Sequence, residues 1–274
     1  MAVSTSITHD RGLVGTPQVG ADVDVYETHS TPRFAIGTGF PRSDGAVFRY
    51  SHFGAACKQG LVVSQDFSES GTTQIDSRVI AVSSTTAVSG ETISPNSIGA
   101  YYVQISLGGI TADQFAGGYL CISNGTGSGY TYRIQGNTVS GSPATGQIYI
   151  RLWKPLAATL DATSDISIAG NRWANLESAT SATDPLVAGV VVGAVTDISD
   201  KPYGWVQTKG IIGVLTDASV PSKGDPVMLS RVTTGNCSQA HQLAGNNLDL
   251  EDPLIGICWD PGASGENSII DLNI

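Results

Sequence analysis

Charge is scarce in this sequence: Asp, Glu, Lys and Arg make up 14% of its 274 residues, against roughly a quarter in an average soluble domain. The 14 basic residues stand singly, as Arg33, Arg42, Arg49, Lys58 and Arg78 do, and 24 acidic residues outnumber them. A phosphate backbone is held by clustered Lys and Arg, and an anionic bilayer by a basic run. A net charge of −10 without such a cluster therefore predicts no nucleic-acid and no membrane partner. No apolar stretch reaches the ~18 residues of a membrane span. Met1 to Thr8 shows no basic region followed by an apolar run, so no secretory signal is expected and assembly in a cytoplasm is.

Cysteine is sparse as well. Cys57, Cys121, Cys237 and Cys258 lie far apart with no C-x-x-C pair, which spells neither a zinc ribbon nor a redox motif. Small or apolar neighbours, as in Tyr119-Leu120-Cys121-Ile122 and Ile255-Gly256-Ile257-Cys258-Trp259, predict plain buried thiols. The sequons Asn124-Gly125-Thr126 and Asn236-Cys237-Ser238 read as turns. Helix signals are nearly missing, because few windows escape Gly, Pro or β-branched clusters. Two short candidates stand out, Thr111 to Ala116, stopped by Gly117-Gly118, and Pro155 to Leu160.

What is present is a chain of strands and turns. Hydrophobic residues at 41% suffice for a real core, and 33 glycines punctuate it. Asp44-Gly45 ahead of Val47-Phe48-Arg49-Tyr50 is a hairpin signal, since both turn positions tolerate positive φ. Further β-branched or aromatic runs begin at Arg78, Ala100, Tyr119, Tyr130, Gln147, Ala188, Gly204, Gly210, Pro226, Leu254 and Ser268. Strands at this density, without helices of crossover length, predict an all-β fold of short antiparallel strands in sandwiches or barrels.

Residues 48 to 65 and 203 to 230 share a coarse pattern: an aromatic strand, a glycine, then a basic turn (Lys58-Gln59-Gly60, Lys223-Gly224) feeding an apolar strand. That likeness assigns both to one small β-barrel domain, residues 34–72 and 185–274. Residues 73–184 then form an inserted β domain, sandwich-like or barrel-like. Residues 1–33, with Pro17, Pro32 and little apolar patterning, read as an extended N-terminal arm.

Signatures of chemistry fail one by one. No serine sits in the Gly-x-Ser-x-Gly frame of a nucleophile elbow. Gly125-Thr126-Gly127-Ser128-Gly129 looks like a phosphate loop, but the strand Tyr130-Thr131-Tyr132-Arg133-Ile134 follows where a helix N-terminus is required, which makes it a turn. His9, His29, His52 and His241 have no metal-binding spacing. Asp249, Glu251 and Asp252 lack the glycine that folds a loop around Ca²⁺, and Asp161 and Asp165 are no better placed. A spatially assembled carboxylate pair stays open, although nothing singles one out. Trp153, Trp173, Trp205, Trp259, Tyr101, Tyr102, Tyr130, Tyr132 and Tyr149 have the makings of a sugar-binding groove, but their place in strand runs favours packing. No catalytic, cofactor-binding or metal-binding residue is assigned.

The chain resembles the virion structural proteins of tailed bacteriophages, specifically β-rich head decoration, or cement, proteins. Three places carry the likeness: Phe34 to Thr38 with Asp44 to Tyr50 and Gly60 to Val63; Gly117 to Ile122 with Gly125 to Ile134 and Asn137; and Tyr203 to Gln207 with Gly224 to Val227 and Ile255 to Ile257. Together they span most of residues 34 to 272, as glycines and aromatics with no catalytic signature. The resemblance implies a non-catalytic protein on the outer capsid surface, assembled in the host cytoplasm, that clamps the major capsid protein and associates with copies of itself, often as trimers. An arm adding a strand to a capsid sheet is one mode of attachment. The alternative is a tail, fibre or baseplate component with receptor or glycan binding, although no fibre repeat or heptad is seen.

Overall fold

A computed structural model describes residues 23–65, 74–79, 92–106, 110–138, 147–179, 186–240, 242–243, 247–248 and 253–274. The chain is all-β, with no helix among the described residues. Strands β1 (Gly39–Pro41), β2 (Val47–His52) and β3 (Val62–Gln65) come first. The next six are β4 (Gln74–Val79), β5 (Tyr102–Ser106), β6 (Tyr119–Asn124), β7 (Thr131–Asn137), β8 (Gln147–Leu152) and β9 (Asp165–Ala169). Then follow β10 (Leu176–Ser178), β11 (Val187–Val191), β12 (Tyr203–Leu215), β13 (Pro226–Leu229) and β14 (Cys237–Gln239). The two-residue strands β15 (Gln242–Leu243) and β16 (Asn247–Leu248) pair with each other, ahead of β17 (Leu254–Asp260) and β18 (Asn267–Asn273).

Ten strands make one antiparallel sheet in the order β10-β3-β11-β12-β18-β17-β13-β14, with the β1–β2 hairpin joined to β12. The other six make a second antiparallel sheet, β4-β9-β6-β7-β8-β5. It curls into a half-barrel whose outermost strands, β4 and β5, come within 8 Å of each other. Leu176–Ser178 pairs with β3, so the larger sheet recruits this piece of the 73–184 stretch.

Alternation explains the strands. In β18, Ser268, Ile270 and Leu272 are buried, while Asn267, Ile269, Asp271 and Asn273 face outward, the period of two that one buried face demands. The β1–β2 hairpin turns at Gly45, whose φ is 90°, and Arg42 N–H donates to the Ala46 carbonyl at 2.8 Å. Gly204 to Lys209 and Gly210 to Leu215, two runs in the sequence, are one strand of 13 residues. Gly210 keeps it continuous: its φ is 86°, and a Cβ there would lie 2.9 Å from the Ala46 Cα of the hairpin packed against it.

Neither short helix expected from the sequence forms. Thr111 to Ala116 is a string of turns because β7 takes its hydrogen bonds: Asp113 N–H goes to the Asn137 carbonyl (2.9 Å), Phe115 N–H to Asn137 Oδ1 (2.8 Å) and Gly117 N–H to the Ile134 carbonyl (3.0 Å). Pro155 to Leu160 is a strap for the same reason, with Leu156 N–H bound to Ala100 O and Leu160 N–H to Asn96 O. Helical i→i−4 bonds cannot form from amides already committed elsewhere.

The half-barrel encloses one core, including Phe115, Leu120, Ile134, Ile148 and Ile166. The larger sheet has three clusters, one aromatic around Phe48, Tyr50 and Trp205. Residues 1–22 of the expected arm lie outside the described residues, but its last stretch is docked: Val25 belongs to the aromatic cluster and His29 bridges Tyr203. Asn171 fastens the two sheets together. Its Nδ2 donates to the Ile36 carbonyl at 3.1 Å, and its own carbonyl accepts from Gln65 Nε2 at 2.9 Å.

Candidate interaction surface

Residues first weighed for chemistry are spent on structure. Asp161 Oδ2 accepts from Thr126 Oγ1 at 2.7 Å, and Oδ1 accepts from Thr163 N–H at 2.8 Å and Thr163 Oγ1 at 2.6 Å. These bonds, led by Thr163 and then Thr126, hold its carboxyl below the usual carboxylate range. Asp165 Oδ2 accepts from Asn124 Nδ2 at 3.2 Å. Both carboxylates therefore brace the β6–β7 turn. That turn carries positive φ at Gly125, Gly127 and Gly129 and leads into β7, as expected. Asp249, Glu251, Asp252, His9 and His241 lie outside the described residues, among which no group of three or more metal-binding side chains occurs.

His29 and His52, distant in sequence, meet on one aromatic stack. Tyr50 and Tyr203 stack with centroids 6.3 Å apart, His29 tilts against Tyr50 at 5.8 Å and His52 against Tyr203 at 5.1 Å. A carboxylate–imidazole–phenol chain runs here, with Glu27 3.4 Å from His29 Nε2 and Tyr50 hydroxyl 3.3 Å from Nδ1. Burial, then the Arg33 charge, lowers the His29 pKa, so the ring is neutral at pH 7. Neutral imidazole suits both neighbours: Nδ1 accepts from the phenol and Nε2–H faces the carboxylate. Tyr50 has no solvent exposure and its hydroxyl also accepts from Arg33 N–H at 3.2 Å, so these bonds lock the 27–33 stretch onto β2.

Cys57, Cys237 and Cys258 are buried as predicted, whereas Cys121 on β6 is only half-buried, because it occupies the outward register of that strand. Burial raises all three buried thiols, and Cys237, beside Asp217, is pushed up to about 12. Such thiols are poor nucleophiles. The expected packing of the aromatics is met by Trp205 and Tyr132, but Tyr101, Tyr130, Trp153 and Trp259 are exposed. Strand membership sets the alternation of faces and leaves open whether an outward face is covered.

Among the described residues, a group of exposed apolar side chains lies on the outer face of β12, β18 and β17. Exposure reaches 52% at Ile211, 41% at Ile269, 56% at Ile257 and 54% at Trp259. Register brings them together. Ile211 and Ile257 flank Asp271 from opposite sides, and Gly213 pairs with Ile269. A bulge between Cys258 and Asp260 leaves Trp259 unpaired beside Ile269 and aims it outward. Asp260, Glu266 and Asp271 are exposed around this patch, with Lys209 the cation on β12. Beside it opens a pocket of about 440 Å³, floored by Phe48 and Val192 and rimmed by Tyr26, the Arg42–Asp44 ion pair and Asn267. Covering apolar side chains of this kind favours a complex, and exposed apolar patches mark contact sites. Sequence inspection missed the surface, although the outward positions of Ser268 to Leu272 signal its β18 part.

In comparison with known proteins, the chain matches no family model, no curated protein and no solved structure.

Proposed function

We propose that the chain is a non-catalytic structural protein of a tailed-phage particle, which binds and stabilises the head by laying the outer face of β12, β18 and β17 on the major capsid protein. The observation that carries the proposal is the group Ile211, Ile257, Ile269 and Trp259, exposed on paired strands, with Asp271 between Ile211 and Ile257 and with Asp260 and Glu266 exposed beyond it. An apolar centre with a polar rim is the anatomy of a protein contact. The carboxylates call for a partner surface that is apolar with basic groups at its edge. The resemblance of Asp44 to Tyr50, Gly117 to Ile122 with Gly125 to Ile134, and Tyr203 to Gln207 to decoration proteins is what suggests the particle and the partner. A trimer around a symmetry axis would present several such faces at once, which raises avidity without new contacts.

Co-sedimentation of the purified chain with expanded heads that lack it tests the proposal, with heat release of DNA as the second readout. The chain is expected to bind and delay release, and Ile257→Lys with Trp259→Ser to lose both effects at a nearly unchanged melting temperature. Absence of binding by the natural chain, or equal binding by the double variant, overturns it.

A further inference from the structure

The half-barrel carries a second surface that the assembly role does not use. On its outer face, Tyr102 of β5 and Gly136 of β7 both pair with Arg151 of the intervening β8. The register slips between Ile134 and Gly136, so Gln135 is the extra residue of a bulge, a device that re-aims a side chain at sheet rims and sites. Gly136 leaves a gap, and the Asp113 carboxylate fills it: Oδ1 sits 2.3 Å from where a Cβ would stand. Asp113 is one of three described non-glycine residues at positive φ, here 57°. Its N–H donates to the Asn137 carbonyl at 2.9 Å, and its Oδ1 accepts from Asn137 N–H at 3.2 Å. Backbone held in a sparsely populated region clusters at functional sites.

These residues line a groove of about 290 Å³, with Tyr102, Tyr149, Arg151, Gln135 and Asp113 around it. Its frame is rigid. Asn137 Nδ2 donates to Thr111 O (2.8 Å) and Thr138 O (3.0 Å), and Thr138 Oγ1 accepts from Tyr149 N–H (3.0 Å). Arg151 lies over the Tyr102 ring, 5.7 Å from its centroid.

We infer that this groove is a binding site for a neutral glycan, holding one or two sugar units of a longer chain. A pyranose offers an apolar C–H face and a rim of hydroxyls that both donate and accept. Tyr149 supplies a ring for the first, while the Tyr102 ring is capped by Arg151 and holds that guanidinium in place. For the second, a carboxylate accepts, a guanidinium donates and the Gln135 amide does both. Asp113 opposes phosphate and sulfate, and the mixed polar lining opposes a purely apolar ligand. The volume is at the small end of ligand sites, about 300–1,000 Å³, and sets the size of the unit bound. The site shares no residue with the β12–β18–β17 face, so the inference stands apart from the identity of the assembly partner.

The test is titration of the intact chain with maltose, cellobiose, lactose and N,N′-diacetylchitobiose at millimolar concentration, followed by saturation-transfer NMR and calorimetry. At least one disaccharide is expected to bind saturably. Tyr149→Ala and Gln135→Ala should each weaken it about ten-fold, the effect of losing a well-made polar or stacking contact. Ile257→Lys should leave it unchanged. If Tyr149→Ala fails to fold, Tyr149→Phe with Arg151→Lys keeps the packing and should still weaken binding. No saturable binding across the four sugars overturns the inference, as does binding that folded Tyr149 and Gln135 variants leave intact.

Discussion

The half-barrel and the ten-stranded sheet solve the same burial problem with different materials. The half-barrel curls on itself and faces its own inner surface, so one cluster rich in isoleucine, from Ile105 through Ile168, fills it. The larger sheet cannot close that way and divides its interior. A valine-rich cluster lies under β18 and β17, a second lies around Val63, Leu176 and Val206, and aromatic rings from β2, β12 and the 23–40 stretch form the third. The outer faces diverge correspondingly. The half-barrel shows tyrosines, Arg151 and a bulge-aimed Gln135, while the larger sheet shows isoleucines and Trp259. The curled sheet thus presents a mainly polar hollow on its outer face, and the larger sheet presents apolar positions of the kind a neighbour covers.

The strongest way to break this contrast is to excavate each core separately. Trp205→Ala, at the centre of the aromatic cluster and 1% exposed, should cost about 3–5 kcal/mol, read by denaturant melts. Hydrogen exchange should localise the loss to β2, β11 and β12. Ile148→Ala in the half-barrel, fully buried, should cost about 2–5 kcal/mol and expose amides of β5 to β9 first. Equal loss of protection in both sheets from either variant would show that they are one cooperative unit. Asn171→Ala removes the bonds to Ile36 and Trp173 at the seam and should cost about 1–3 kcal/mol, splitting a single calorimetric transition in two.

Mild acid, between pH 7.5 and pH 5, should act chiefly on the larger sheet. Burial depresses both His29 and His52 there, and no histidine occurs in the half-barrel strands. Histidines with depressed folded-state values stabilise fully above the unfolded pKa of about 6.5, and that stability is lost as pH falls below it toward the folded values. Melting of the larger sheet at pH 5 should therefore come earlier than at pH 7.5, and His29→Gln with His52→Gln should flatten the difference. The smallest effect belongs to the surface. Ile257→Lys should change the folding stability of the isolated chain by about 0.5 kcal/mol or less, measured by thermal melts, because the side chain meets solvent and stands opposite Asp271.

How far the sequence reveals this molecule depends on the range of the interaction concerned. The Asp44-Gly45 hairpin, the Gly125 to Gly129 turn and the strands at Gln147 to Leu152 and Pro226 to Leu229 are legible, since turn chemistry and alternation are local. Asp165 to Ala169 alternates too, but its acidic start draws attention to chemistry and hides a strand. Thr111 to Ala116 has helical composition and loses to hydrogen bonds from Asn137, which is remote in sequence. The glycan groove is harder still. Tyr149 stands in the sequence as one aromatic among several, Asp113 and Gln135 give no signal, and only the slip in the β7–β8 register brings them to one hollow.

By itself the sequence determined that the chain is predominantly β, where many of its turns fall, and which side chains alternate, because glycine conformation and the two-residue period act within a few residues; it did not decide against the two short helices. Only the tertiary structure decided that β12 is one long strand, that His29 and His52 share a stack, and that Trp259 and Ile257 remain uncovered. The physical reason is that alternation names two faces without saying which neighbour covers either. Covering is settled by register and curvature between strands far apart in the chain.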